Sequence, residues 1–329
     1  MLMVRDYKGE NMKKKCNLGI VFTFAILATM FFAFGVLNEH FFTARNIRNL
    51  IQASVPLFLV VLAQGPIIMT GGIDLSLGAI VALANVTCVS VMQSVMIHNV
   101  FVAVCATLGI GLICGLINGL LIGKLNMPPI IVTLATTAIY EGAALMIMNE
   151  PGGEVERSFA KAVTGKIGNI PYSLFAIIIL LFVVRYYTNN MKIGKALRAI
   201  GGNESAAYSA GIHVGSVKLF IYSIAGVLSA LAGVFLSAQM YSGDPRIGKQ
   251  YAMNAITASV VGGIKMTGTT GDIIGAAAGV FIITSVNNAM NLFGIGAYYQ
   301  FLFQGVILIV VLIVPTIVEK NKNKSLRRQ

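Results

Sequence analysis

The groups in this chain with chemistry to offer are a few carboxylates, hydroxyls and amides set inside apolar sequence. Asp74 and Ser76 lie in TGGIDLSLG, residues 70–78, where two glycines interrupt hydrophobic runs. Thr133, Thr137 and Glu141 recur at i, i+4 and i+8, one face of a helix. Thr284, Asn287, Asn288 and Asn291 fall largely on one side of another. Polar groups placed so in hydrocarbon must face the protein interior or water. Their chemistry is hydrogen bonding: they either join helices, or line a path that replaces water around a hydroxyl-rich solute. For Asp74 and Ser76 the plainer account is a helix start at the inner surface, with either side chain as cap. The sharper one is a break within the membrane beside a substrate path. GGIKMTGTTGDIIG, residues 262–275, repeats the GGI turn and places Asp272 at the start of a long helix.

Catalysis has little to work with. Each Gly-Lys pair (124, 166, 195 and 249 being the lysines) lacks a following Ser or Thr, so no nucleotide-cradling loop is present. HExxH and GxSxG are absent, and His40, His98 and His213 are far apart. Cys16, Cys88, Cys105 and Cys114 form no CxxC pair, so neither a disulfide framework nor a metal site is expected. The chain reads as a non-enzyme with no cofactor of its own.

The elements that must position these groups are spanning helices. Of 329 residues 57% are hydrophobic and only 11% charged, and mean hydropathy is +0.82. Soluble chains carry roughly 25% charge, so a bilayer is the expected solvent. Apolar runs near 19–37, 54–70, 77–95, 100–122, 129–148, 171–187, 217–240, 271–293 and 299–317 are long enough to cross. A tenth, 252–264, is short and ends in paired glycines, so it is a short span or half of a broken helix. With ten crossings and an inner N-terminus, 17 of the 24 Lys and Arg lie inside, the arrangement the positive-inside rule favours. The chain then divides into a basic N-terminus (1–18), one membrane domain (19–317) and a basic tail (318–329), both ends cytoplasmic. The net charge of +12 reflects topology rather than nucleic-acid binding, since the basic residues sit at termini and short loops. Residues 38–53 read as a short interfacial helix, and 149–170 as the one long outer loop. Gly111, Gly115, Gly119 and Gly123 form a ridge that lets two backbones approach closely, as do Gly226, Ala230, Gly233 and Ser237.

The longest polar interruption, residues 185–218, is expected to hold a handle for a partner protein within the cytoplasmic loop 188–217. Asn203 suits an N-cap, Glu204 complements the helix dipole, and Gly211 falls where a left-handed C-cap would. Residues 204–210 therefore form a helix too short to stand alone, with Ala206, Ala207 and Ala210 as a small exposed face; a plain solvated loop is the alternative.

Four blocks carry a family resemblance: GGIDLSLGAIVALANV, PPIIVTLATTAIYEGAAL, ALRAIGGNESAAYSAGIHVGSVKLFIYSIAGVLSALAG, and AITASVVGGIKMTGTTGDIIGAAAGVFIITSVNNAMNLFGIGAYYQ. From about Phe41 to Val314 the chain resembles the ribose-type permeases of ABC importers, similar to ribose, xylose, galactose or galactofuranose and autoinducer permeases. The resemblance implies an all-α polytopic protein of about ten spans with a vitamin-importer-like (type II-like) fold. It implies a bacterial inner-membrane permease, paired with itself or a paralogue, with a periplasmic sugar-binding protein and two ATPase subunits that hold ATP and Mg. Arg198, Gly201, Gly202, Asn203, Glu204, Ala206, Ala207, Ala210 and Gly211 then match the coupling helix that docks into the ATPase. Asp74 and Ser76 match the signature near the translocation path, with Thr133, Thr137, Asn287, Asn288 and Asn291 as further path candidates. Where many relatives have Arg, this chain has Glu141 before Gly142, which points to a different contact there. An ion-coupled transporter using Asp74, Glu141 or Asp272, and an ABC permease for an amino acid or autoinducer, are the competing readings.

Overall fold

The computed structural model describes residues 2–94, 99–269, 271–296, 298–300 and the positions 302, 303, 305, 306, 309 and 313, with side chains from residue 20 onward. The expected span 299–317 and the tail 318–329 lie largely outside these residues. The described chain is helical: α1 (Leu2–Leu37), α2 (Ala44–Met69), α3 (Leu77–Gln93), α4 (Val100–Gly123), α5 (Pro129–Ile147) and α6 (Arg157–Thr164) come first. A two-strand hairpin, β1 (Lys166–Ile167) with β2 (Ile170–Pro171), follows. Then come α7 (Tyr172–Asn190), α8 (Lys192–Gly202), α9 (Glu204–Ser209), α10 (Val214–Met240), α11 (Tyr251–Val261) and α12 (Ile273–Leu292).

Among the described residues seven helices are long and apolar enough to cross a membrane, against the ten crossings expected. One of the three, 299–317, lies largely outside the described residues, and length accounts for the other two. α3 is only 17 residues long, because its chain is still turning at Asp74 and Ser76. α11 has 11 residues, about 16 Å of rise, less than a single straight helix needs to cross a bilayer. The separate interfacial helix expected at 38–53 is also corrected: α2 runs unbroken from Ala44 to Met69, with Pro56 and Pro66 inside it. Thr43 caps its start by accepting from the Asn46 amide. The outer loop 149–170 is structured by α6, whose last residue offers its carbonyl to Gln52 of α2.

α10 is the central post, packed on α2, α3 and α4. In α2 and α10, 78% and 72% of the spanning window is buried, against 6% in α1, so α1 stands at the edge. The glycine ridge of α4 is what brings α10 close. Gly111 and Gly115 meet Gly226, Tyr222 and Ser223, and Gly123 meets Gly215, with no room for a Cβ at any of these crossings. Higher up, Gly233 lies against Val81 and Ala84 of α3.

After α10 the chain does not leave the bundle. Tyr241 turns left-handed, and Gly243 pairs with Gly152 of the outer loop. The Asp244 amide donates to Asn85 Oδ1 at 2.6 Å, and Gly248 then packs against Gly78. From Asn85 to Gly78 is about 10 Å along α3, so this segment descends into the bundle and α11 begins inside it. Irregular backbone is tolerated at such depth because protein, not lipid, surrounds it.

Candidate functional site

The sequence-predicted path residues separate into two places. Asp74 and Ser76 are buried. Asp74 Oδ1 accepts from the Ser76 amide at 2.8 Å and from its hydroxyl at 2.6 Å. Ser76 Oγ in turn accepts from Asn118 Nδ2 of α4 at 2.8 Å. Tyr140 of α5 donates to the Cys114 carbonyl at 3.0 Å beside Asn118, and Thr133 donates to the Ile73 carbonyl at 3.4 Å. With its amide turned to suit, buried Gln64 of α2 donates to the Asp74 carbonyl at 3.1 Å and accepts from the Asp74 amide at 3.2 Å. Thr137 donates back to the Thr133 carbonyl within α5. Ser76 meets Asn118 five residues before α4 ends at Gly123, about 7 Å inside the helix end. The break between α2 and α3 thus sits within the bundle, stitched by side chains of three helices, α2, α4 and α5.

Asn287, Asn288 and Asn291 lie elsewhere, on α12 in the wall of a cavity of about 510 Å³. Asn46, Asn49, Ala53 and Leu57 of α2 form the facing wall, and Gln250, Tyr251 and Asn254 close it where α11 begins. From Asn46 to Leu57 the cavity follows α2 for about 16 Å, roughly half the thickness of a bilayer core. Asn46 and Asn288 are bonded to each other through both amides, at 2.9 and 2.8 Å. The described lining is amides, hydroxyls and apolar groups, with no charged side chain. Asp74, Ser76, Thr133 and Thr137 do not line it.

The end of the bundle that carries α8 and α9 holds the coupling candidates. Asn203 caps α9 by accepting from the Ala206 amide at 2.9 Å, and Gly211 ends it at a φ of 83°. The expected small face is corrected at one position. Ala206 and Ala210 are exposed, but Ala207 is buried against Ile200 and Val214, and Tyr208 is 73% exposed in its place. Glu204 pairs with the buried Lys218 of α10 at 2.6 Å. Arg198 donates to the Thr188 carbonyl and to Asn189 Oδ1, both at 2.6 Å, which fastens α8 to α7. Gly201 is pressed against the Met69 carbonyl and Gly268, where a Cβ would not fit, and Gly202 lies beside Thr269. Asp272 caps α12, and Arg185 and Asn189 of α7 hold its carboxylate at 3.4 Å.

Sequence reasoning missed Gln64, Asn118 and Tyr140 in the first cluster, and Asn46, Asn49, Gln250, Tyr251 and Asn254 in the second. Amides inside apolar runs are a signal that could have found Gln64, Asn118 and Asn254. α8 was missed too, although Ile193, Leu197 and Ile200 have the spacing of an amphipathic face.

Spanning helices around a neutral, amide-lined cavity that reaches half-way into the bundle, beside a helix that begins at that depth, define a multi-pass membrane permease. The chain belongs to the family described as "Branched-chain amino acid transport system / permease component", whose model matches residues 46–312. It is 34% identical over 283 residues to the ribose import permease protein of Bacillus subtilis, covering 84% of this chain and 87% of the relative. Over 307 residues it is 32% identical to the D-allose transport system permease protein of Escherichia coli, at 91% and 92% coverage. Over 296 residues it is 30% identical to the L-arabinose ABC transporter permease protein of Azospirillum brasilense, at 90% and 86% coverage. No solved structure matches.

Proposed function

We propose that this chain is the permease subunit of an ATP-driven sugar importer, carrying a pentose, hexose or related polyol through the cavity between α2, α11 and α12. The observation that carries the reading is the chemistry of that cavity: neutral donors and acceptors suit hydroxyl groups. An amino acid would bring a carboxylate and an ammonium that the described lining does not pair, and burying either alone is expensive. Of the three carboxylates an ion-coupled carrier would use, two are committed elsewhere, and the third, Glu141 of α5, does not line the cavity. Asp74 is spent on Ser76, and Asp272 on capping α12 and holding Arg185.

In this reading Asn287, Asn288 and Asn291 line the path, while Asp74, Ser76, Thr133 and Thr137 hold its wall in shape. The chain sits in the bacterial inner membrane with about ten spans and both termini in the cytoplasm. A periplasmic binding protein delivers the sugar, and ATPase subunits holding ATP and Mg act on a permease dimer. The chain itself catalyses nothing. α9 is the coupling helix, presenting Ala206, Tyr208 and Ala210 to an ATPase groove while Glu204 and Ala207 root it on α10 and α8. ATP closure of the ATPase pair favours one orientation of the permease through contacts at α9.

The test is uptake into proteoliposomes containing the chain, its ATPase and the binding protein, with labelled ribose, allose, galactose and arabinose. ATP-dependent uptake of one of them is expected. Ala206→Arg is expected to release the ATPase on co-purification without lowering the permease's melting temperature. Uptake that persists without the ATPase subunits would overturn the assignment.

A further inference from the structure

One wall of the polar cavity is joined to the other by two amides. Asn46, two residues into α2, and Asn288, four residues before the end of α12, exchange both of their hydrogen bonds. Asn46 Nδ2 also donates to the Phe41 carbonyl at 2.8 Å, a bond only the nitrogen can make, so its Oδ1 must face Asn288. Phe41 is fully buried, its ring edge-on to Phe31 of α1 at 5.4 Å. Asn46 is therefore a fixed group, buried and aimed, whereas Asn288 is half-buried on the cavity wall. A carboxamide has two donors and two acceptor lone pairs, so Asn288 keeps a second N–H beyond those this pairing uses.

We propose that the Asn46–Asn288 pair is a subsite for a vicinal diol of the transported sugar, whose hydroxyls replace the amide–amide bonds and so release α2 from α12. This rests on the reading of the chain as a sugar permease. The chemistry favours a diol over other solutes. Each hydroxyl both donates and accepts, so two neighbouring hydroxyls can take over the donor and the acceptor that each amide gives up. No buried polar group is then left without a partner, which an apolar solute would cause. Because one set of neutral hydrogen bonds replaces another, the exchange is nearly balanced, and the solute can leave as readily as it enters.

The experiment couples one hydroxyl to one amide. In the reconstituted complex, initial uptake is measured for whichever of ribose, allose, galactose and arabinose the wild type carries fastest, and for each single-deoxy analogue of it. The same series is run on Asn288→Leu, which removes the amide at similar volume, and on Asn288→Gln, which keeps it. The binding protein is common to all arms, so its own preference cancels in the ratio of ratios. We expect the wild type to favour the parent sugar over one or two adjacent deoxy analogues by roughly three- to tenfold more than Asn288→Leu does. Asn288→Gln is expected to retain part of that discrimination. Equal ratios in wild type and Asn288→Leu at every hydroxyl would sink the subsite while leaving the importer assignment standing. If Asn288→Leu does not assemble with the ATPase, Asn288→Ser gives the same comparison. A wild type that carries none of the four sugars with ATP overturns both the sugar reading and the subsite, and leaves the family assignment standing.

Discussion

Around Asp74 the carboxylate, hydroxyl and amide groups bond to one another across α2, α4 and α5, buried from both lipid and water. Around Asn288 the same kinds of group stand along a cavity, partly exposed, with one amide pair spanning it. Residue chemistry does not separate these two regions; closure does. A network whose members are all satisfied inside the protein specifies one arrangement of helices. A lining that faces open space can trade its partners for those of a solute. The first region shapes the wall, and the second is the part of the wall that a solute meets.

The comparison breaks if the closed region tolerates loss of a member, so the largest expected effect is there. Asp74→Leu strands the Ser76 amide and hydroxyl in a buried place, at about 3 kcal/mol or more. The variant should fail to accumulate in membranes, or melt well below wild type when purified; Asp74→Asn, which keeps an acceptor, should lie between. Gly115→Leu comes next, because its side chain must enter the seam where α4 meets Tyr222 and Ser223. Overpacking of this kind costs about 1–3 kcal/mol, and the melting temperature of the detergent-solubilised chain is the readout. Asn118→Leu removes a single donor to Ser76 and is expected to cost about 1 kcal/mol by the same assay. Asn254→Leu, at the closed end of the open cavity, sharpens the contrast from the other side. Its melting temperature should stay near wild type, within about 0.5 kcal/mol, while ATP-driven uptake falls several-fold. Equal stability losses for Asp74→Leu and Asn254→Leu would erase the distinction between the regions.

What could be read in advance follows from the reach of each interaction. The cap at Asn203 and the left-handed turn at Gly211 depend on neighbours within a few residues, and both stand where their types predicted. The glycine ridge of α4 has a four-residue period that announces a close helix contact, and α10 makes it. Asn46 falls within the stretch 38–53 that reads as an interfacial helix, yet its partner lies 242 positions away on α12. No local pattern encodes that pairing. Ala207 turned inward for a similar reason: small size fits a groove on a partner as well as the contact with Ile200 and Val214 that it makes. The descent of residues 241–250 was hidden because Gly248 and Gly78, which meet there, are far apart in sequence.

Polar side chains tie α12 at two places, Arg185 and Asn189 where Asp272 caps it and Asn46 near its other end. The sixteen positions from Asp272 to Asn288 make an arm of about 24 Å. A rotation of about 3° about the Asp272 end swings Asn288 by roughly 1.3 Å, enough to carry bonds of 2.8 and 2.9 Å beyond hydrogen-bonding range. The helix is a lever with its pivot on α7, whose Asn189 also takes a bond from Arg198 of α8, so a displacement too small to disturb the packing around Asp272 is decisive at the cavity.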